Sequence, residues 1–181
     1  QKNPIIRMTA VEISKEAAKD AIINFENCRW NKNLVLKNQD FKEHRPTNKY
    51  DLIVSNPPFY KDGYLPNNQT KRIAKHEGEL NYCNIIEFST KNLTENGTVN
   101  LIIPFKNNEK CKSFAKKNNL HLSRECVVYP KAYKSASRVL LEFSKNNIET
   151  KKEELIIEND KRHDYTTDYK NLTRDFYTIF N

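Results

Sequence analysis

The sequence predicts an α/β fold in which helices cover a doubly wound, mostly parallel sheet. Two observations support this prediction. Short apolar segments with the composition of strands alternate along the chain with segments whose apolar residues recur at helical spacing. In addition, the chain has 181 residues, which is enough for one domain with a real core. We therefore predict a single domain over residues 1–181, with no internal repeats and no linker.

The first half of the chain contains three predicted strands and one predicted helix. A strand over residues 5–12 precedes a helix that begins after Ser14, because serine is a preferred N-cap residue. This helix runs to about residue 28. Further strands are predicted over residues 33–37 and 50–55 from their β-branched and apolar content.

The second half contains further helices and strands. Apolar residues at helical spacing predict a helix over residues 80–95, and Asn96-Gly97 is a typical C-terminal cap. The last two predicted core strands, over 120–129 and 138–144, are joined by a loop, which indicates that they run antiparallel. The other predicted elements are a strand over 98–103, a helix over 107–118, strands over 120–129 and 138–144, a short strand over 155–157 within the polar surface segment 146–162, and a terminal helix over 165–180.

Composition narrows the classes of partner. The net charge is +8, from 31 basic and 23 acidic residues, and a positive surface favours phosphate-bearing partners. No apolar stretch approaches the length of a membrane span, so we predict no membrane contact. The four cysteines are scattered and share no metal-ligand spacing with the histidines. They indicate free thiols in a reducing cytoplasm and no metal site.

The most informative motif is Asn56-Pro57-Pro58-Phe59, which follows the predicted strand over residues 50–55. Open α/β sheets place their ligand chemistry at the carboxyl ends of strands. Two consecutive prolines hold the backbone extended and keep their carbonyl groups available. Asn56 offers a side-chain carbonyl oxygen, and Phe59 offers an aromatic face on which a planar group can stack.

These residue types suit the activation of an amino nitrogen. The lone pair of an exocyclic amino group or of an amide is delocalised, which makes the nitrogen a poor nucleophile. Activation requires two acceptors for its two N–H groups, and the Asn56 side chain and the Pro57 backbone carbonyl can supply them. The alternative is a strand that ends in a proline-rich turn, but such a turn does not need an asparagine before its prolines.

This motif resembles motif IV of the S-adenosylmethionine-dependent amino-methyltransferases. The stretch 56–76 and the ending 165–177 are similar to the small bacterial methyltransferases that modify an adenine beside the anticodon of a valine tRNA. The resemblance implies a Rossmann-like class I methyltransferase sheet with an antiparallel final strand. It also implies S-adenosylmethionine as cofactor and the N6 of an adenine in tRNA as substrate.

In that family the basic loop after the motif and the loop before the last core strand lie near the substrate entrance, which implies Lys71, Arg72, Lys131 and Lys134 as substrate-binding residues. The alternative for Lys71 and Arg72 is a solvated charged loop. Tyr60 can stack on a base of the RNA, and its alternative is packing on its own domain.

Three residues upstream of the motif are candidates for the cofactor site, together with Asn56. Glu12 ends the first predicted strand, where an acidic residue binds ribose hydroxyls in the dinucleotide fold. Its alternative role is to favour the N-terminus of the following helix. Asp40 follows the second strand and can accept from an adenine amino group, with Phe41 against the ring. The alternative for this pair is an Asx-turn followed by a core aromatic.

One expected feature is missing from the sequence. The three glycines, Gly63, Gly78 and Gly97, form no glycine-rich turn of the kind that precedes such a ribose-binding carboxylate. We therefore expect an N-terminally incomplete domain that lacks the first strand and its cofactor loop. That strand would lie between the strands ending at Glu12 and Asn56. A separate fragment, a rearranged fold or a second copy of the chain would have to fill its place.

Three other functions remain open at this point. The same motif occurs in methyltransferases that act on a protein glutamine and in those that act on DNA adenine. The first predicts a helical recognition domain, and the second predicts a separate target-recognition domain, which 181 residues do not contain. A third reading is a catalytically inactive RNA-binding fragment. Binding of S-adenosylmethionine distinguishes that fragment from an enzyme.

Overall fold

The computed structural model describes residues 6–58 and 80–180. The chain divides into two compact units, Gln1–Thr47 and Asn48–Asn181. The first unit contains a two-stranded sheet, and the second contains a sheet of five strands.

The first unit is a strand–helix–strand crossover. β1 (Met8–Glu12) leads into α1 (Lys15–Glu26), and β2 (Leu34–Asn38) returns parallel to β1. The Ser14 hydroxyl caps α1 by accepting a hydrogen bond from the Ala17 amide at 3.3 Å. The register pairs Glu12 with Asn38, so the carboxyl ends of the two strands lie side by side.

The second unit places its strands in the order β3-β4-β6-β5-β7. β6 runs antiparallel to both of its neighbours, whereas β3 pairs parallel with β4 and β5 pairs parallel with β7. The elements are β3 (Tyr50–Ser55), α2 (Tyr82–Asn92), β4 (Leu93–Pro104), α3 (Asn108–Lys117), β5 (His121–Lys131), β6 (Arg138–Ser144), β7 (Lys151–Glu158) and α4 (Thr167–Thr173).

The core of the second unit lies on one face of its sheet. Alternate residues of β4 and β6 are buried because successive side chains of a strand point to opposite faces. The opposite face keeps apolar side chains at the surface, with Leu52, Val54 and Leu140 exposed by 54%, 70% and 38%. The buried set from the two strands is Val99, Leu101, Ile103, Val139, Leu141 and Phe143, and α2 and α3 add Ile85, Ile86, Cys111 and Ala115.

The predicted fold class is confirmed. Strands and helices alternate as expected, the strands are mostly parallel, and the strand over Arg138–Ser144 is antiparallel. The strand over Tyr50–Ser55 has the predicted bounds. β1 and β3 belong to different sheets. A further strand between them stays a prediction.

The predicted cap at Asn96-Gly97 is wrong. α2 ends at Asn92, and both residues lie inside β4. Gly97 is needed there for a close approach: a Cβ at this position would lie 2.8 Å from the Tyr50 carbonyl oxygen and 3.0 Å from a methyl carbon of Leu93. An Asn-Gly pair predicts a turn from local preference alone, and the packing of β3 against β4 overrides that preference.

The C-terminal region differs from prediction in two ways. About half of the segment 146–162, predicted as a surface excursion with a short strand over 155–157, is β7, which pairs with β5 along its length. The predicted terminal helix over 165–180 ends at Thr173, and a short 3-10 turn follows over Thr178–Phe180. Tyr165 breaks the helical pattern because it bridges to Glu158 and stacks on Tyr169, with ring centroids 5.4 Å apart. The apolar residues of this segment do not share one face: Tyr169 and Phe180 pack together, whereas Leu172, Phe176 and Ile179 are exposed.

Candidate active site

The motif lies where β3 ends. Pro57 is buried, whereas Asn56 and Pro58 are exposed. This alternation continues the period of β3, in which Leu52 and Val54 are exposed. Within the part of the chain that the structure describes, no hydrogen bond engages the Asn56 side chain. The buried proline anchors the turn and leaves the asparagine amide at the surface of the carboxyl edge.

The same edge carries the connection between β5 and β6. Pro104, the last residue of β4, pairs with Arg138 at the start of β6, and Val128 of β5 pairs with the same arginine. β4 runs parallel to β3, so its end lies at the edge where Asn56 follows β3. The structure therefore brings the connecting loop over residues 132–137 to the edge that carries the motif.

Two predicted substrate-binding residues flank or lie in this loop. The Lys131 ammonium donates a hydrogen bond to the Asp160 carbonyl oxygen at 2.7 Å and lies 3.9 Å from a Glu158 carboxylate oxygen. Lys134 is exposed, with its ammonium 5.6 Å from the centroid of the Tyr133 ring. Lys131 thus fastens the loop to the chain that follows β7, whereas Lys134 presents its charge to solvent.

Glu12 ends β1 in the first unit and is held by local hydrogen bonds. One of its carboxylate oxygens accepts from the Ser14 amide at 2.7 Å. Its backbone carbonyl accepts from the Asn38 side-chain amide at 2.8 Å and from the Gln39 backbone amide at 3.1 Å. The carboxylate is therefore oriented at the carboxyl end of β1, next to the start of α1. This contact agrees with the helix-terminal role and leaves the ribose role a prediction.

Asp40 and Phe41 follow β2 at the same edge of the small sheet. One Asp40 carboxylate oxygen accepts from the Lys42 amide at 2.8 Å and caps a short 3-10 turn over Phe41–Glu43. Both residues are half-buried. The Asx-turn alternative is thus observed, and the register of β1 with β2 brings Asp40 to the edge that carries Glu12.

Sequence reasoning missed Asn38 as part of this edge. Its side-chain amide donates to the Glu12 carbonyl at 2.8 Å and to the Ile13 carbonyl at 3.4 Å, so it joins the carboxyl ends of β1 and β2. The available signal was a polar side chain at the end of an otherwise apolar strand, directly before the candidate Asp40.

The remaining predicted site residues are Phe59, Tyr60, Lys71 and Arg72. All four lie outside the described residues. Among residues 6–58 and 80–180, no cluster of His, Cys, Asp and Glu has the arrangement of a metal site. In the same residues, no helix has the length and apolar character needed to cross a membrane.

The fold matches that of methyltransferases of known structure. A predicted O-methyltransferase from Agrobacterium tumefaciens superposes with a TM-score of 0.66 at 15% identity, covering 92% of this chain and 76% of the other. A methyltransferase from Pyrococcus furiosus superposes with a TM-score of 0.56 at 22% identity, covering 78% and 64%. A protein assigned to class I of the S-adenosylmethionine-dependent methyltransferases, from Listeria monocytogenes, gives a TM-score of 0.55 at 16% identity, covering 97% and 56%. The fold is that of a class I methyltransferase.

Sequence relatives define the family. A family model described as the Eco57I restriction-modification methylase matches residues 5–129. A tRNA1(Val) (adenine(37)-N6)-methyltransferase from Flavobacterium psychrophilum is 35% identical over 179 residues, which cover 98% of this chain and 76% of the relative. Its namesake from Flavobacterium johnsoniae is 36% identical over 180 residues, with the same coverage. The chain belongs to the family of the tRNA1(Val) (adenine(37)-N6)-methyltransferases. The predicted enzyme class and its cofactor, S-adenosylmethionine, are confirmed by this membership and by the fold.

Proposed function

We propose that this protein transfers a methyl group from S-adenosylmethionine to the exocyclic N6 of an adenine in tRNA, next to the anticodon. The observation that carries the proposal is the exposed Asn56 amide at the carboxyl end of β3, fixed by the buried Pro57. The names of the relatives, which specify adenine 37 of a valine tRNA, support the choice of substrate.

Asn56 and the Pro57 carbonyl would act on the amino group of the substrate. The side-chain carbonyl oxygen of Asn56 accepts one N–H, and the Pro57 carbonyl oxygen accepts the other. Two acceptors in fixed positions hold the amino group so that its nitrogen can attack the methyl carbon. The N–C bond would form as the S–C bond of the methyl donor breaks, and one N–H proton would leave through its acceptor to water. Phe59 stacks on the adenine, with Pro58 keeping the turn extended. The turn supplies position and electrostatics, and no strong general base is required.

Glu12, Asp40 and Phe41 would hold the cofactor together with Asn56. The donor set suits its nucleoside: Glu12 and Asp40 each use one observed carboxylate oxygen for a backbone amide. The second oxygen of each carboxylate can accept from a ribose hydroxyl or from an adenine amino group. When bound, S-adenosylmethionine supplies an electrophilic methyl group on a positively charged sulfur.

Tyr60, Lys71, Arg72, Lys131 and Lys134 are proposed RNA contacts. Lys134 is the stronger of the two described members, because its ammonium is exposed at the edge that carries the motif. Lys131 would reach RNA only by leaving the Asp160 carbonyl, so it is better suited to positioning the loop. Cations of this kind contribute affinity that falls with added salt.

Methylation of DNA adenine is a second candidate function. The match of residues 5–129 to a restriction-modification methylase model favours it. The motif serves adenine N6 in either nucleic acid, so the chemistry of Asn56 does not discriminate between them.

We infer a cytoplasmic location from the cysteines. Cys28, Cys83, Cys111 and Cys126 are all free in the structure. Free thiols are typical of a reducing compartment, and tRNA is found there. Recovery of the protein in the periplasmic fraction of its cells would contradict this inference.

A three-acceptor assay tests the proposed function. The protein is incubated with S-adenosylmethionine labelled in its methyl group and with an unmodified valine tRNA transcript, an adenine-containing DNA duplex or a glutamine-containing peptide. We expect label in the tRNA alone. Label in the duplex at a comparable rate would support the DNA function, and label in no acceptor would reject both.

A further inference from the structure

The turn over residues 159–164, which follows β7, extends beyond the carboxyl end of β3. β7 runs in the same direction as β3, and the register of the sheet places Ser55, the last residue of β3, level with Lys152. β7 continues from Lys152 to Glu158, so at about 3.3 Å per residue it ends roughly 20 Å beyond β3. Four strand spacings, roughly 19 Å, separate the two strands within the sheet. The turn therefore begins roughly 25–30 Å from the motif that follows β3.

The backbone of this turn is fixed by hydrogen bonds at both of its ends. The Asn159 amide donates to the Asp164 carbonyl oxygen at 2.8 Å and closes the turn. His163 has a φ of 65°, in the left-handed region that a residue with a side chain enters at a cost. Its amide donates to a Glu158 carboxylate oxygen at 3.0 Å, which holds it there. Residues kept in such conformations by their surroundings are concentrated at functional sites.

The fixed turn presents two neighbouring cations to solvent. Lys161 and Arg162 are both exposed, and within the described stretches of the chain neither side chain makes a hydrogen bond or an ion pair. Lys131 differs, because its ammonium donates to the Asp160 carbonyl oxygen at 2.7 Å and so fastens the turn to the end of β5. The charges of Lys161 and Arg162 are therefore free to bind a partner from a backbone of set geometry.

A nucleic-acid backbone is the partner that this pair suits. The guanidinium of arginine matches phosphate oxygens in pairs, and lysine adds a point charge. Asp160 and Asp164 flank the two cations and cancel their charge at a distance, so the turn acts on phosphates by contact and not by long-range attraction. A paired strand carries a phosphate about every 3.4 Å along its axis, which brings more than one within reach of two adjacent side chains.

We propose that Lys161 and Arg162 bind the phosphate backbone of the anticodon stem while the target adenine lies at Asn56. The proposal rests on the proposed function, because it takes tRNA as the substrate. The separation of roughly 25–30 Å exceeds the reach of the target nucleotide and its immediate neighbours, and it matches the paired stem beyond the loop. The turn thereby distinguishes a folded stem-loop from a single strand that carries the same adenine.

A binding comparison with two RNA probes tests this proposal without requiring turnover. The probes are a fluorescent anticodon stem-loop of a valine tRNA and a linear oligonucleotide with the loop sequence alone. Dissociation constants are measured by anisotropy over a series of salt concentrations for the wild type and the double variant Lys161→Gln/Arg162→Gln. We expect the double variant to bind the stem-loop at least about fivefold more weakly near physiological salt, and its salt slope to fall by about one to two. Its affinity for the linear probe should change less than about twofold.

Lys116→Gln/Lys117→Gln is the matched control. It also removes two adjacent charges from exposed positions, but at the C-terminal end of α3, which leads to the start of β5 and not to the carboxyl edge. We expect less than about a twofold change with either probe. Arg162→Lys keeps the charge and should retain the salt slope. If Lys161→Gln/Arg162→Gln binds the stem-loop like the wild type, loses both probes by equal factors or merely matches the control, the proposal is wrong.

The outcomes separate this inference from the proposed function. Stem-loop binding that depends on Lys161 and Arg162, in a protein that transfers no methyl group to tRNA, would keep the contact with the stem and reject the function. Methyl transfer to tRNA with stem-loop affinity independent of the two residues would keep the function and reject their role. A wild type that does not bind the stem-loop would overturn the proposal outright.

Discussion

The contact between α3 and β5 predicts a measurable loss of stability when Glu125 is changed. Glu125 is 7% exposed, and one of its carboxylate oxygens accepts from the Asn108 side-chain amide at 2.6 Å and from the Lys112 ammonium at 3.2 Å. Asn108 is 4% exposed, and its own side-chain oxygen is buried without a hydrogen-bond partner among the described residues. Loss of Glu125 would therefore leave the whole Asn108 amide unsatisfied.

The magnitude follows from these contacts. A buried hydrogen bond to a charged group is worth about 1.5–3 kcal/mol. The Lys112 pair adds at most about 1 kcal/mol, because this ammonium is partly exposed and keeps Glu109 as a partner at 2.6 Å. We expect Glu125→Ala to lower the free energy of unfolding by about 2–4 kcal/mol. Glu125→Gln keeps an acceptor for Asn108 and loses only the charge, so it should cost less.

The loss should depend on pH in a defined direction. Burial raises the pKa of Glu125, but the hydrogen bonds from Asn108 and Lys112 outweigh it, and the pKa lies below its usual value. A carboxylate with a lowered pKa in the folded state stabilises fully above its unfolded pKa, about 4.3, and loses this effect as the pH falls through the folded pKa. The difference between wild type and Glu125→Gln should therefore be largest near neutral pH and shrink in acid.

Urea unfolding followed by far-ultraviolet circular dichroism measures both effects. Tryptophan fluorescence is less suitable, because the one tryptophan, Trp30, lies in the other unit. Glu109→Ala is the control, since Glu109 is 84% exposed and should cost little. A cost below about 0.5 kcal/mol for Glu125→Ala, or a difference for Glu125→Gln that is equal at neutral and acid pH, would refute the reasoning.

Three further predictions concern stability and cofactor binding. Gly97→Ala should lower the free energy of unfolding by about 1–3 kcal/mol, because its Cβ would lie 2.8 Å from the Tyr50 carbonyl oxygen; an unchanged urea midpoint would contradict this. Burial, then Lys37 and Arg45, lowers the pKa of His44, so the first unit should lose stability as the pH falls below about 6.5. His44→Gln should remove this pH dependence of stability, measured by unfolding followed through tryptophan fluorescence. If stability of the variant still falls below this pH, a group other than His44 causes the dependence. Glu12→Gln should weaken S-adenosylmethionine binding at least about tenfold by calorimetry, whereas Glu16→Gln in the first turn of α1 should not; equal affinities would remove Glu12 from the cofactor site.

Most of the architecture was predictable because its signals are local. Ser14 caps α1 through its own hydroxyl, and the apolar residues over 98–103 indicate the buried part of β4. β7 was underestimated because its first half is charged: Lys151, Lys152 and Glu153 pair with β5 along a polar stretch that carries no apolar pattern. Pairing with β5, and not the composition of the segment itself, stabilises β7 as a strand.

The site was predictable only in part, for a related reason. The ends of β1 and β3 were predicted at the residues where the structure has them, and β2 ends one residue later than predicted. A residue directly after a strand lies at the carboxyl edge of its sheet. The sequence did not predict which of the candidate side chains are already hydrogen-bonded within the protein. Lys131 is bound by Asp160, 29 residues further along the chain, and no sequence pattern indicates that contact.

We propose that Asn56 activates the N6 of adenine 37 in a tRNA. The most direct test digests a valine tRNA transcript after reaction and locates N6-methyladenosine by mass spectrometry, for the wild type and for Asn56→Ala. We predict N6-methyladenosine at position 37 alone. For Asn56→Ala we predict a methylation rate reduced at least about 10²-fold, with RNA affinity retained. Methylation at another position or on another atom, or a variant within a few-fold of the wild type, would contradict the claim.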